Sequence, residues 1–108
     1  MNVDQDTRYN RTDAELQAFL LLSICVAGKT AFVQERKLLD FLRPAINIGR
    51  EPFNWVRILD KTDLLEKELR AVGMGQYRRI LPAFRGVVNY DPRTTTLNEL
   101  EAIKGIGP

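Results

Sequence analysis

The sequence predicts an all-α protein, an orthogonal array of five to six short helices, and three observations carry that prediction. Apolar residues return at helical spacing from Leu16 to Ile103. Capping residues and glycine or proline stops cut this pattern into short runs, at Thr12, Gly28, Pro44, Gly73 and Thr96. The strict apolar–polar alternation of a half-buried strand does not recur. Short helices with frequent breaks favour orthogonal packing over a long bundle. With 108 residues and 44% apolar content, one compact core is expected, and a single domain over residues 1–108.

Each element has its own signals. Thr12 and Glu15 form a capping box, hydroxyl and carboxylate each satisfying an open amide, and the first helix is expected to run to Ala27 before Gly28. Ala31, Leu38, Leu39 and Leu42 share a face beside the polar Gln34, Glu35, Arg36 and Lys37, predicting a second helix from Thr30 to Leu42 that Pro44 stops. The stretch PAINIGREP reads as a loop, followed by a short helix over Phe53 to Leu59 in which Trp55 belongs to the core. Thr62 or Asp63 is expected to cap a helix with Leu65, Leu69 and Val72 on one face, ending at Gly73. Tyr77, Leu81, Phe84 and Val88 mark a further helix, and Pro82 within it predicts a kink or a later start. After the turn-rich NYDPRTTT, a second capping box of Thr96 and Glu99 opens a helix with Leu97, Leu100 and Ile103 inward.

Composition excludes several kinds of chemistry. The chain has no histidine and one cysteine, Cys25, so it holds neither a zinc cluster nor an iron–sulfur cluster, no internal disulfide and no Cys–His or Ser–His nucleophile. The apolar run AFLLLSICVA is well short of the roughly 18 residues that span a bilayer. It reads as a buried helix, in which Cys25 is a small hydrophobe. The polar, partly acidic residues 1–11 read as a tail, unlike a secretion signal, which predicts a cytoplasmic or nucleoid-associated protein with no membrane partner. Net charge is only +2, but between residues 70 and 93 five arginines, Arg70, Arg78, Arg79, Arg85 and Arg93, stand against Asp91 alone. Arg78 and Arg85 lie one helical repeat apart with Arg79 beside them, a stripe suited to an anionic partner.

The segment Ile103-Lys104-Gly105-Ile106-Gly107-Pro108 has the physics of a hairpin that meets a phosphate. The glycines let main-chain amides approach an oxyanion, and the isoleucine between them can anchor the turn. Pro108 suits the first position of a following helix.

This segment resembles the first helix and hairpin of a helix-hairpin-helix motif, and the chain as a whole is similar to the helix-hairpin-helix DNA glycosylase superfamily, which includes endonuclease III. The family's hairpin, hydrophobic-Pro-Gly-hydrophobic-Gly-x-Lys-Thr-Ala, is matched by Ile103, Gly105, Ile106 and Gly107, with Lys104 in place of the proline. ELQAFLLLSICVAGKT is similar to the family's early buried helix, E-L-x-x-x-L-L-S-x-Q, and LRAVGMGQYRRILPAF to its I-x-x-x-G-x-x-x-x-K-A-x-x-I segment. Ile24-Cys25 stands where many members carry a glutamine that fills the gap left by a flipped base, and VAGKT replaces a threonine and aspartate stretch. AGKT is not a phosphate-binding loop of the G-x-x-x-x-G-K-[ST] kind, because Ser23 stands at the first glycine and no strand precedes it.

The resemblance implies a partial glycosylase-like domain that binds double-stranded DNA, from a base-excision repair enzyme that flips a base and cleaves its glycosidic bond. It implies phosphate binding by Lys104, Gly105, Ile106 and Gly107, with Arg78, Arg79, Arg85, Cys25 and Lys29 as further candidate DNA contacts. A monovalent cation held by the carbonyls of Glu101, Ile103 and Ile106 is the one ion it implies; no small-molecule cofactor is expected. The family's catalytic lysine and aspartate would fall beyond Pro108, so residues 1–108 alone are expected to be inactive. Glu99, Glu101 and Asp91 read as a solvated helix face and a turn. Two alternatives stay open, a non-catalytic DNA-binding module, and a relative acting in phage-type base modification. A helical protein–protein adaptor is a third. Apolar faces meant for further helices would be exposed and would favour self-association.

Overall fold

The computed structural model describes residues 12–26 and 29–92. Among these the protein is all-α: α1 Asp13–Cys25, α2 Ala31–Asn47, α3 Pro52–Lys61, α4 Leu65–Ala71 and α5 Tyr77–Val87. The hairpin over residues 97–108, with Lys104, Gly105, Ile106, Gly107 and the carbonyls of Glu101 and Ile103, lies outside the described residues, as do residues 1–11.

The capping box predicted for α1 is present in both directions. The Thr12 hydroxyl accepts from the Glu15 amide at 3.2 Å, and the Thr12 amide donates to Glu15 Oε1 at 3.0 Å. Leu16, Leu21, Ile24 and Cys25 turn inward. Gln17, also buried, reaches across to α3, where its Oε1 accepts from the Phe53 amide at 3.0 Å. A side chain of α1 thus satisfies one of the open first-turn amides of α3.

The second helix overruns its predicted stop. Pro44 lies inside α2, which continues to Asn47. An internal proline costs about 3 kcal/mol or more, partly through the missing bond to the carbonyl four residues back. Here that carbonyl belongs to Asp40, and both residues are exposed. Continuing the helix keeps Ala45 buried beneath Phe41 and Leu42. The true stop is Gly49, left-handed at φ +70°: its amide donates to Ile46 O at 3.1 Å and the Arg50 amide to Ala45 O at 2.8 Å, the two bonds of a Schellman turn.

The same device ends α3 and overturns a second expectation. Asp63, at φ +62°, donates to Asp60 O at 3.1 Å, and the Leu64 amide to Leu59 O at 2.7 Å. Thr62 and Asp63 therefore close α3 instead of capping α4, and Leu64 stands at the start of α4 with no side-chain cap. The end of α4 follows the sequence reading. Gly73, at φ +71°, donates to Arg70 O at 3.0 Å and the Met74 amide to Leu69 O at 3.1 Å.

The five helices close around one apolar cluster that includes Leu21, Ile24, Leu42, Val56, Leu69 and Phe84. Phe41 of α2 meets Phe84 of α5 edge to face, ring centroids 6.1 Å apart. Trp55, expected within the core, packs at its margin, half-buried, with Nε1 donating to Phe41 O at 3.0 Å. In α5 the helix starts at Tyr77 and passes over Pro82, so the later start does not occur.

Candidate nucleic-acid interface

The sequence GMGQ, residues 73–76, turns the chain from α4 into α5, and its backbone is the most constrained stretch described. Gly73, Gly75 and Gln76 all have positive φ, at 71°, 81° and 49°. A glutamine in the left-handed region is uncommon and costs about 1–2 kcal/mol. Such outliers persist only where surrounding contacts hold them.

Gln34 supplies those contacts. Although it stands beside Glu35, Arg36 and Lys37 in sequence, it shares the face of Leu38, Phe41 and Ala45 and is 1% exposed. Its Nε2 donates to Cys25 O at 2.9 Å and to Met74 O at 3.3 Å, and lies 3.6 Å from Met74 Sδ. One amide thus bolts the end of α1 to the turn. Met74, between the two glycines, is fully buried and anchors the turn from below.

Cations gather over this bolted turn. The Lys29 ammonium stands 2.7 Å from the point a Cβ on Gly75 would occupy, and position 75 is held to glycine by its φ of 81°. Arg79, in the first turn of α5, donates from Nε to Gln76 Oε1 at 2.8 Å. Desolvation lowers its pKa, and the neighbouring Cys25 opposes that shift. Arg78 is exposed beside it. No side chain caps α5; the Arg79 and Ile80 amides donate to Gln76 O at 3.0 and 2.9 Å, and the cations stand at this helix N-terminus.

The predicted residues divide accordingly. Lys29, Arg78 and Arg79 come together, although fifty residues of chain separate the lysine from the arginines. Cys25, expected among the candidate DNA contacts, is a correction: it is fully buried and presents no surface to a ligand. Burial pushes its thiol up to about 12, with Arg79 pulling the other way, so it is a neutral hydrophobe at physiological pH. Arg85 lies two turns further along α5 and pairs with Asp60 at 2.8 Å. Arg70, part of the same arginine-rich stretch, is held by Glu66 at 2.7 Å and stacks over Tyr77 at 4.2 Å from its centroid.

A second surface is apolar. Between α1 and α2 a hollow of about 350 Å³ is floored by Ala14, Ala18 and Leu42 and walled by Leu39 and Ile46. Phe32, Leu39 and Ile46, spaced by seven, are 69%, 47% and 58% exposed and form one stripe along α2. Among the described residues no three histidine, cysteine, aspartate or glutamate side chains gather as metal ligands, and no helix is long and apolar enough to cross a membrane.

Comparison with protein-family models, with curated proteins and with solved structures returned no match. The functional reading therefore rests on the residues themselves.

Proposed function

We propose that this chain is the DNA-binding portion of a helix-hairpin-helix glycosylase-like protein, one that grips a duplex through its phosphates and helps to extrude a base. The observation that supports it best is the turn at residues 73–76. A left-handed Gln76, in a turn that Gln34 holds through Met74, has Lys29 against Gly75, Arg79 bonded to its own side chain and exposed Arg78 two residues on, and so joins a fixed backbone to nearby cations. Extruding a base costs a few kcal/mol of unstacking, so what enters the stack must not yield. The cations supply sequence-independent attraction to the flanking phosphates.

On this reading Lys29 and Arg78 position the backbone, and Gln76 stands where the duplex is disturbed. Buried Cys25 contributes packing alone. The glycosidic chemistry, whether for repair or for base modification, is a proposal for the parent protein and rests on the resemblance of the hairpin sequence.

Fluorescence anisotropy with a labelled duplex provides the test. Affinity should fall steeply between 50 and 200 mM salt, and Lys29→Ala/Arg78→Ala should flatten the log K against log salt line by about 2. A parent chain with no salt-dependent affinity for duplex DNA would overturn the reading and favour the adaptor alternative.

A further inference from the structure

We propose that the cationic surface extends beyond the turn, as a phosphate track that follows the outer face of α5 onto α3, and that its partner is the backbone of a nucleic-acid duplex. The proposal rests on the DNA-binding reading above and adds a second set of contacts to it, on Arg50, Arg57 and Lys61, which no motif in the sequence singles out.

Arg78 and Arg85 are seven residues apart, so they share one face of α5 with an axial separation of about 10.5 Å. At Arg85 the surface passes to α3, because Asp60 of α3 holds the Arg85 guanidinium at 2.8 Å. A shallow hollow beside this pair is lined by Arg57, Lys61, Arg85 and Asn89. A neighbouring one shares Arg57 and Lys61 and adds Arg50 and Asn54. Positions 54, 57 and 61 follow the i, i+3, i+7 spacing, which puts them in one line along α3, about 10.5 Å long, and Arg50, just before the helix, lines the same hollow.

The chemistry of this line is that of phosphate contact. Arg50, Arg57, Lys61 and Arg85 line the two hollows against one carboxylate, Asp60, which Arg85 already occupies. Asn54 and Asn89 are the kind of polar side chain that also contacts phosphate oxygens. Arg57 is held in place, its guanidinium donating to Asn54 Oδ1 at 3.0 Å and to Val88 O. Arg50 and Lys61 are exposed and make no ion pair among the described residues. A duplex carries one charge per about 1.7 Å of its axis with both strands counted, so a stretch as long as the helical part of this line carries roughly six phosphates. A regular row of cations on a rigid helix suits that repeating charge.

The decisive variant is Arg50→Ala/Lys61→Ala in the full chain, since both side chains are exposed and alanine keeps the Arg50 amide that closes α2. The control is Arg36→Ala/Lys67→Ala, which removes two exposed cations elsewhere. For duplex binding, the track variant should lower the slope of log K against log salt by about 1.8, so that raising salt from 50 to 200 mM costs it about 12-fold less affinity than the parent. The control should keep the parent's slope. If the parent binds with a steep slope and the track variant matches it, the track is wrong while the DNA-binding reading stands. Equal slope losses in track and control variants would also overturn it, since net charge alone would then be responsible. A parent with no salt-dependent binding removes the DNA-binding reading and the track with it.

Discussion

Replacing Gln34 by leucine removes the bolt beneath the turn with little change in volume. The Gln34 amide donates to two buried acceptors, Cys25 O at 2.9 Å and Met74 O at 3.3 Å. Leaving a buried polar group without a partner costs about 1–3 kcal/mol, so two carbonyls, the second more weakly held, give about 2–4 kcal/mol. Against a typical total of 5–15 kcal/mol for a domain this is a large fraction. In urea denaturation with an m value of about 2 kcal/mol/M, the midpoint should fall by roughly 1–2 M. The isosteric Gln34→Glu sharpens the test. A protonated carboxyl keeps one donor, whereas a carboxylate only accepts and would face two carbonyls. Burial raises its pKa above the unfolded value near 4.3, so stability should be full below about pH 4.3 and lost as pH rises through the folded pKa. A Gln34→Leu midpoint within 0.2 M of the parent, or a Gln34→Glu stability that rises with pH, would refute the role given to this side chain.

Two further predictions follow from corrected or confirmed features. Pro44→Ala restores the amide donor to Asp40 within α2, and after allowance for a more flexible unfolded chain it should stabilise by about 2 kcal/mol. Calorimetry should then show the midpoint raised by roughly 5–15 °C, and a fall would contradict the helical account of residues 43–47. Burial raises the Cys25 thiol from 9.0 to about 12, so it should resist thiol reagents at pH 8 on the native chain and react only on unfolding. Because the folded pKa is the higher one, the associated stability is present below about pH 9 and lost as pH climbs toward 12, a decline that Cys25→Ala should flatten in urea midpoints measured from pH 8 to 10.

What could be read from the sequence was what local chemistry decides. The Thr12–Glu15 box and the Gly73 stop depend on residues within five positions of each other, and both are present. Pro44 misleads because its penalty is a local average, while exposure of Asp40 and burial of Ala45 are tertiary facts. Asp63 misleads for a different reason: the short polar side chain that favours a helix start also tolerates the left-handed conformation of a helix end.

The site was legible only in part. Lys29, Arg78 and Arg79 were identifiable as cations, but the turn they flank is tied down by Gln34, whose spacing with Leu38, Phe41 and Ala45 puts it on the buried face of α2 although its residue type and its neighbours Glu35, Arg36 and Lys37 read as polar. Arg50 lies between α2 and α3, so no helical register ties it to Asn54, Arg57 and Lys61, and only the hollow they line together does.

The central claim is that duplex DNA meets the turn at residues 73–76 and the cationic face of α5 and α3, and amide chemical-shift mapping during titration with a short duplex tests it most directly. The account predicts the largest shifts at Gly75, Gln76, Tyr77 and Arg78, continuing through Arg85 to Lys61 and Asn54. Shifts confined to the apolar hollow of Ala14, Ala18, Leu39 and Ile46, or no shifts at saturating DNA, would contradict it.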